Sequence, residues 1–274
     1  MRAVATTLLG VALLSAAPLS LDAAPQRVVS LNICSDELVL RLAEPEHIAS
    51  VTWLSRDARS SNVSDLAARV PVNHGLAEEV VPQRPDLVFA GAFTTTTATA
   101  LIRRQGIPVR ILPIAASVDD ARAHIREVAS ALGTQDRGEA IVADMDRRLA
   151  ALPAAPPRAV SALVLNPAGF AVGADSLIDD IMRRAGLENT ARRLGAQNFI
   201  PLELVVMSAP ELLIINAARD GPPSLATEIL KHPALARMKN TRTIVLPSRL
   251  WTCGGPGNVE AIERLIAVAR EVRS

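Results

Sequence analysis

The chain has 274 residues, of which 49% are hydrophobic and 21% are charged. This balance is typical of a folded globular protein and excludes an intrinsically disordered chain. The formal net charge is +1, and no basic stripe with interleaved aromatic residues is present, so the sequence predicts no nucleic-acid partner. Only 2% of the residues are aromatic and none is Tyr, which makes each Trp and Phe a candidate for a special role.

The first residues have the layout of a secretory signal peptide. Arg2 supplies a positive charge, residues 3–17 are apolar and uncharged, and small residues follow up to Ala24. The apolar run is too short to span a bilayer. We therefore predict a cleavable signal peptide over residues 1–24 and an exported mature protein in an oxidising compartment. An uncleaved N-terminal anchor is the alternative.

The chain after this segment alternates short apolar runs with helical patterns. The runs are continuous, whereas a half-buried strand would alternate apolar and polar residues. Continuous runs indicate strands that are buried on both faces of a mostly parallel sheet. In the first half the predicted strands are 28–31, 48–52, 87–90 and 109–112, with a helix over 35–42.

Two amphipathic helical patterns follow, over residues 118–132 and 136–152. The proline-rich stretch at 153–158 ends the second of them. From this segment we predict one long backbone helix that joins two lobes as a stiff strut. A single stiff crossing permits rocking of the lobes and resists wide hinge opening.

The second half of the chain repeats the order of the first. Its predicted strands are 163–165, 212–215 and 243–246, and its predicted helices are 176–185, 202–207 and 259–272. The clearest internal repeat is between residues 78–89 and residues 203–214. In both copies a Glu lies seven residues before a Pro. We predict an α/β fold with two doubly wound lobes. The boundaries are 25–117 for the N-terminal lobe, 118–152 for the connecting helices and 153–274 for the C-terminal lobe.

The ligand site follows from this fold class, because open parallel sheets bind ligands beyond the carboxyl ends of their strands. Several chemically distinctive residues follow directly after predicted strands. The predicted ligand-binding residues are Cys34, Trp53, His74, Phe93, Phe170, Arg249, Trp251 and Cys253.

Cys34 and Cys253 are the only two cysteines in the chain. Both follow strands, and they belong to opposite lobes, so both could reach a shared cleft. An even number of cysteines in an exported protein invites a disulfide, which needs Cα atoms closer than about 7 Å. Two free thiols that line the pocket, or plain burial, are the alternatives.

Four segments of the chain together carry a family resemblance: RVVSLNICSDELVLRLA, EEVVPQRPDLVFAG, GADSLIDDIMRRAGLENTA and PLELVVMSAPELLII. In these segments, and over about residues 26–272, the chain resembles the periplasmic substrate-binding proteins for cobalamin and ferric siderophores. It implies a monomeric periplasmic clamp that captures a large metal chelate, without catalysis and without a cofactor of its own. It also implies delivery to an inner-membrane ABC permease and ATPase. Docking through one Glu on each lobe would, by position, use Glu78 and Glu203.

The sequence differs from members of this family in ways that reduce the number of candidate ligands. The absence of Tyr excludes haem that is ligated through Tyr, and only His74 of the four His lies near the predicted mouth, which argues against a bare-metal site. An anionic chelate could be contacted by charge-assisted hydrogen bonds. The candidate cations are Arg56, Arg59, Arg219 and Arg249.

Two other function classes stay open at this point. An exported α/β hydrolase-type enzyme would need a nucleophile, and only GADSL at 173–177 loosely resembles a nucleophile elbow. A ligand-sensing clamp that signals to a partner would use the same fold. Loss of ligand uptake on deletion would separate an import receptor from such a sensor.

Overall fold

The computed structural model describes residues 24–195, 199–216 and 224–273. The predicted signal peptide therefore lies outside the described residues, except for Ala24, and so does Arg219. Within the described ranges, no helix combines the length and the apolar character that a bilayer crossing requires.

The first lobe is built on a five-stranded sheet whose neighbouring strands are all parallel. The spatial order of the strands is β3-β2-β1-β4-β5. In chain order they are β1 Val28–Ser30, β2 Ile48–Thr52, β3 Val72–Asn73, β4 Leu87–Gly91 and β5 Val109–Leu112.

Helices cover both faces of this sheet, which explains the continuous apolar runs. Val28 and Phe89 pack in the core cluster that contains α1 (Ile33–Leu42). Their neighbours Val29 and Val88 point to the other face and pack with α3 (Ala77–Val80) and α4 (Thr96–Arg104). Every side chain of a central strand is therefore buried, as the sequence pattern predicts.

The second lobe repeats this arrangement with four parallel strands in the order β7-β6-β8-β9. These strands are β6 Val160–Leu165, β7 Leu187–Asn189, β8 Leu212–Asn216 and β9 Arg242–Leu246. The order matches β2-β1-β4-β5 of the first lobe, so the predicted pair of similar α/β lobes is confirmed. The sequence analysis missed β3 and β7, which have only two and three residues and carry no apolar run.

The remaining helices connect the strands or join the lobes. They are α2 Ser64–Ala67, α5 Val118–Leu132, α6 Gln135–Ala150, α7 Leu177–Arg184, α8 Thr190–Arg193, α9 Leu202–Ser208, α10 Leu225–Glu228, α11 Pro233–Ala236 and α12 Gly257–Arg273. Short 3-10 segments follow several strands, including residues 53–56 after β2 and 248–250 after β9.

The connection between the lobes consists of two helices, which corrects the expectation of one long backbone helix. Gly133 ends α5 with a left-handed φ of 72°, and the chain then reverses into α6. Ion pairs from Arg126 to Glu139 and from Arg122 to Asp146 tie the two helices together along their length. The connection is therefore an antiparallel helical pair.

The connecting helices share their core with both lobes. One cluster of buried side chains contains Phe89 of the first sheet, Ile125 of α5, Val164 of the second sheet and Ile262 of α12. The helix α5 packs against α1 of the first lobe and against α7 of the second. The two lobes are therefore joined by continuous side-chain packing. Such packing favours small rocking movements over wide hinge opening.

Candidate functional site

The carboxyl ends of the two sheets meet at adjoining hollows. One, of about 260 Å³, is lined by Cys34 and Phe93 from the first lobe and by Thr252 from the second. The other, of about 530 Å³, is lined by Phe170 and Thr252 from the second lobe. Ile114, on the segment that leads from β5 to α5, lines both hollows. We call these two hollows together the cleft.

Large apolar side chains stand exposed along the two strand edges that form the cleft. Trp53 follows β2 and is 50% exposed, and Phe93 follows β4 and is 85% exposed. Ile114 after β5 is 62% exposed, and Phe170 after β6 is 40% exposed. Large apolar side chains that stay exposed in this way favour a surface that another molecule covers.

Phe199 extends this apolar surface on the second lobe, and the sequence analysis missed it. Its ring meets Phe170 edge to face, with centroids 5.8 Å apart and planes at 89°. A backbone bridge between the same two residues holds the pair. The internal repeat contained the signal, because Phe199 lies four residues before Glu203 and His74 lies four residues before Glu78.

His74 lies beside Trp53 at the first-lobe edge of the cleft. The two rings have centroids 6.4 Å apart. Glu79 fixes the orientation of His74, since His74 Nδ1 lies 2.9 Å from Glu79 Oε1 and the His74 backbone N–H donates to Oε2 at 2.6 Å. The Nε2 edge of the ring has no hydrogen bond among the described residues, and the side chain is 60% exposed.

Cys34 and Cys253 form a disulfide between the lobes, with Cα atoms 5.1 Å apart. The surrounding segment is fitted closely to the first lobe. A Cβ on Gly254 would lie 2.9 Å from the Cβ atoms of Ala115 and Ala121, so only glycine fits there without a shift. Residues 249–257, which connect β9 to α12, therefore fasten the second lobe to the first, and we call them the clasp.

Arg249 and Trp251, both predicted as ligand contacts, lie in the clasp and make contacts within the protein. Arg249 Nη1 donates to Asn62 Oδ1 at 2.9 Å, and Asn62 Nδ2 donates to the Arg249 carbonyl at 2.6 Å. Trp251 is only 2% exposed and belongs to the core, although its edge forms part of the floor of the larger hollow. Arg249 thus links the two lobes, and Trp251 packs in the core beside the larger hollow.

A still larger hollow, of about 800 Å³, lies away from the strand ends, beside α6 and the start of α12. Its lining includes charged groups that already pair with one another, such as Arg137 with Glu44 and Arg148 with Asp144. No aromatic side chain lines it in the described part of the chain. We therefore place the ligand site in the cleft, where the exposed apolar side chains gather.

A family model of periplasmic binding proteins matches residues 28–250. The chain belongs to this family. The match spans both lobes and the helical pair, so the membership predicted from the sequence is confirmed.

A curated relative of this periplasmic binding protein has a named ligand. It is the cobalamin-binding protein of Halobacterium salinarum (strain ATCC 29341 / DSM 671 / R1), which is 23% identical over 229 residues. The alignment covers 80% of this chain and 61% of the relative, so the chain spans about three fifths of the length of the curated protein it matches.

Solved structures share the two-lobed fold. The apo form of the periplasmic haem-binding protein RhuT from Roseiflexus sp. RS-1 is 24% identical with a TM-score of 0.75, covering 91% of this chain and 99% of that chain. A protein of an ABC-type Fe³⁺-hydroxamate transport system from Saccharomonospora viridis DSM 43017 is 23% identical with a TM-score of 0.68, covering 91% and 94%. At this identity the likeness concerns the fold.

Glu78 and Glu203 occupy equivalent places on the two lobes of this binding protein. Glu78 lies in the first turn of α3, which leads into β4, and Glu203 lies in the first turn of α9, which leads into the corresponding strand β8. Both side chains are exposed, and neither has an ion pair or hydrogen bond within the described ranges. They therefore present two free carboxylates, one on each lobe.

A buried carboxylate lies under the first-lobe side of the cleft. Asp36, in the first turn of α1, is fully buried and accepts hydrogen bonds from the backbone N–H and the hydroxyl of Thr52, the residue before Trp53. Burial raises the pKa of Asp36 from 3.8 to about 7, and the hydrogen bonds from Ser30 and Thr52 lower it only in part.

This raised pKa predicts a specific pH dependence of stability. Between about pH 4 and pH 7 the folded protein keeps a proton on Asp36 that the unfolded chain has lost, so the free energy of unfolding falls as pH rises, by up to about 1.4 kcal/mol per pH unit. Asp36→Asn should remove this slope while keeping an acceptor for Thr52. Denaturant unfolding at several pH values measures it, and parallel profiles for both proteins would contradict the prediction.

Proposed function

We propose that this protein captures a metal chelate, either a corrinoid or a ferric siderophore, in the cleft and delivers it to an inner-membrane ABC importer. One observation carries the proposal. The chain has two Trp and four Phe. Four of these six aromatic side chains are at least 40% exposed. Phe93 and Phe170 line the two hollows, Phe199 contacts the ring of Phe170, and Trp53 follows strand β2 of the first lobe.

Four exposed aromatic side chains favour a ligand that has a large apolar face. Corrin rings and the outer faces of siderophore complexes offer such a face, and burying it against aromatic side chains stabilises a complex. The larger hollow, of about 530 Å³, lies within the range of about 300–1,000 Å³ that is typical of ligand pockets, and the smaller one, of about 260 Å³, adjoins it. The cobalamin-binding relative and the Fe³⁺-hydroxamate transport protein support the same class of ligand.

The proposed ligand contacts come from both lobes. The first lobe contributes Trp53, His74 and Phe93, and the second contributes Phe170 and Phe199, with Ile114 between them. The disulfide of Cys34 and Cys253 forms part of the floor. A ligand that contacts both lobes would stabilise one relative orientation of the lobes. A permease could then distinguish the loaded protein from the empty one by that orientation.

Delivery would use the two exposed glutamates. Glu78 and Glu203 are unpaired in the described structure and lie on opposite lobes, so a permease with basic clusters could engage both at once. We further propose that the protein is exported by a cleavable signal peptide, acts as a monomer and performs no chemistry on its ligand.

The hydrolase alternative loses its candidate nucleophile. The hydroxyl of Ser176 donates to the carbonyl of Gly173 at 3.1 Å and accepts the backbone N–H of Asp179 at 3.2 Å. These bonds make Ser176 the N-cap of α7. Capping is a common structural role for a serine that directly precedes a helix.

The proposed function is tested by titrating the purified mature protein with cyanocobalamin and with a neutral ferric trihydroxamate. Binding is read from the quenching of Trp fluorescence and from the absorption spectrum of the complex. We expect one of the two chelates to bind with a dissociation constant of about 1 μM or below. The proposal fails if neither of these chelates, nor a ferric tris-catecholate, binds at ten times that concentration.

A further inference from the structure

The polarity of the cleft restricts the charge of its ligand. In the larger hollow the one charged side chain among the described lining residues is the exposed carboxylate of Asp175. In the smaller hollow the one ionisable group of the described lining is His124, which is 9% exposed. The rest of the described lining is apolar or carries neutral amides and hydroxyls. The described cleft is therefore neutral to slightly acidic.

Three of the four arginines that the sequence analysis offered to an anionic chelate have partners within the protein, and the fourth, Arg219, lies outside the described residues. Arg56 donates to the backbone carbonyls of Ala67 and Val70, the latter at 2.7 Å. Arg59 pairs with Asp57 at 3.1 Å. Arg249 donates to Asn62 in the contact between the lobes. Turning any of these guanidinium groups toward a ligand would break an existing hydrogen bond.

Two helices that begin at the cleft, α1 and α7, have side-chain caps at their N-termini. Asn32 Oδ1 accepts the backbone N–H of Cys34 at the start of α1, at 2.9 Å. Ser176 caps the start of α7 in the same way, and Asp179 and Asp180 occupy the first turn of that helix. The protein thus supplies its own hydrogen-bond acceptors at these two helix starts.

We propose that the cleft selects metal chelates whose net charge is zero or positive and excludes complexes with several negative charges. This inference rests on the proposed function and narrows it. An anionic complex would lose its hydration in the cleft without gaining a cation from the described lining, and it would lie near Asp175. Three hydroxamate monoanions neutralise Fe³⁺, so such a complex fits, whereas three catecholate dianions leave a charge of 3−.

The test compares two ferric complexes of similar size on the mature protein, a neutral trihydroxamate and a tris-catecholate of charge 3−, with cyanocobalamin as a second neutral probe. We expect a neutral probe to bind at least about 100-fold more tightly than the tris-catecholate. Equal or tighter binding of the tris-catecholate would overturn the inference and leave the proposed function standing. If none of the three binds, the proposed function fails and the inference fails with it.

Two variants of Asp175 test whether the charge of the cleft causes the selectivity among chelates. Asp175→Lys should raise the affinity for the tris-catecholate, relative to that for the neutral probe, at least tenfold. Asp175→Asn, which tolerates the positive φ of 59° at this position, should give a smaller rise. Glu263→Lys, a charge change at an exposed position of α12, is the matched control and should change neither affinity. No gain for either Asp175 variant would contradict the inference.

Discussion

Replacing both Glu78 and Glu203 with lysine is expected to abolish chelate uptake by cells and to leave the affinity of the purified protein within about twofold. Both carboxylates are exposed and have no partner in the described structure, so their loss breaks no internal contact. Facing a basic permease surface, two lysines would replace attraction with repulsion, which costs several kcal/mol. Uptake of labelled chelate into a deletion strain that carries the variant measures the effect.

The control for this experiment changes the same charge at other exposed glutamates. Glu127 lies on α5 and Glu263 on α12, and neither is at the cleft edge. The double variant Glu127→Lys, Glu263→Lys should support normal uptake. Full uptake by the Glu78 and Glu203 variant, or a loss of chelate affinity in the purified protein, would remove the docking role from these residues.

Loss of the disulfide is expected to lower the free energy of unfolding by about 3–5 kcal/mol, because the bridge closes a very long loop in the unfolded chain. Cys34 and Cys253 are 219 residues apart in sequence. The effect should be the same in Cys34→Ser, in Cys253→Ser and in the wild-type protein under reducing conditions. Denaturant unfolding with and without a reductant provides the measurement.

The three versions of this experiment control for one another. The double variant Cys34→Ser, Cys253→Ser leaves no free thiol, so its stability should match that of each single variant and should not respond to reductant. The hydrogen bonds between Asn62 and Arg249 remain in all of them and keep the clasp seated. A wild-type protein whose stability is unchanged by reductant would show that the bridge does not stabilise the fold.

Most of the fold could be read from the sequence because buried parallel strands leave an unambiguous pattern. The apolar runs at 28–31, 87–90 and 212–215 are continuous, and the structure buries both faces of the strands they form. The short strands β3 and β7 gave no such pattern. The reversal between α5 and α6 depends on the left-handed Gly133, and a glycine between two helical patterns does not reveal whether the chain bends slightly or turns back.

The site could be predicted only as far as the strand ends. Trp53 and Phe93 follow their strands into loops that face the cleft, as the parallel sheet requires. Trp251 follows β9 by the same logic, but the 3-10 turn at residues 248–250 directs its ring into the core. Sequence position fixes the edge of the sheet at which a residue lies, and the local backbone decides which way its side chain points.

The central claim is that a metal chelate lies between the lobes and touches both. The aromatic side chains that line the two hollows allow a direct measurement, because Phe93 lies on the first lobe and Phe170 on the second. The account predicts that Phe93→Ala and Phe170→Ala each weaken chelate binding by about 1–3 kcal/mol in titrations of the purified variants. A loss of affinity in one variant alone, or in neither, would contradict a ligand held between the two lobes.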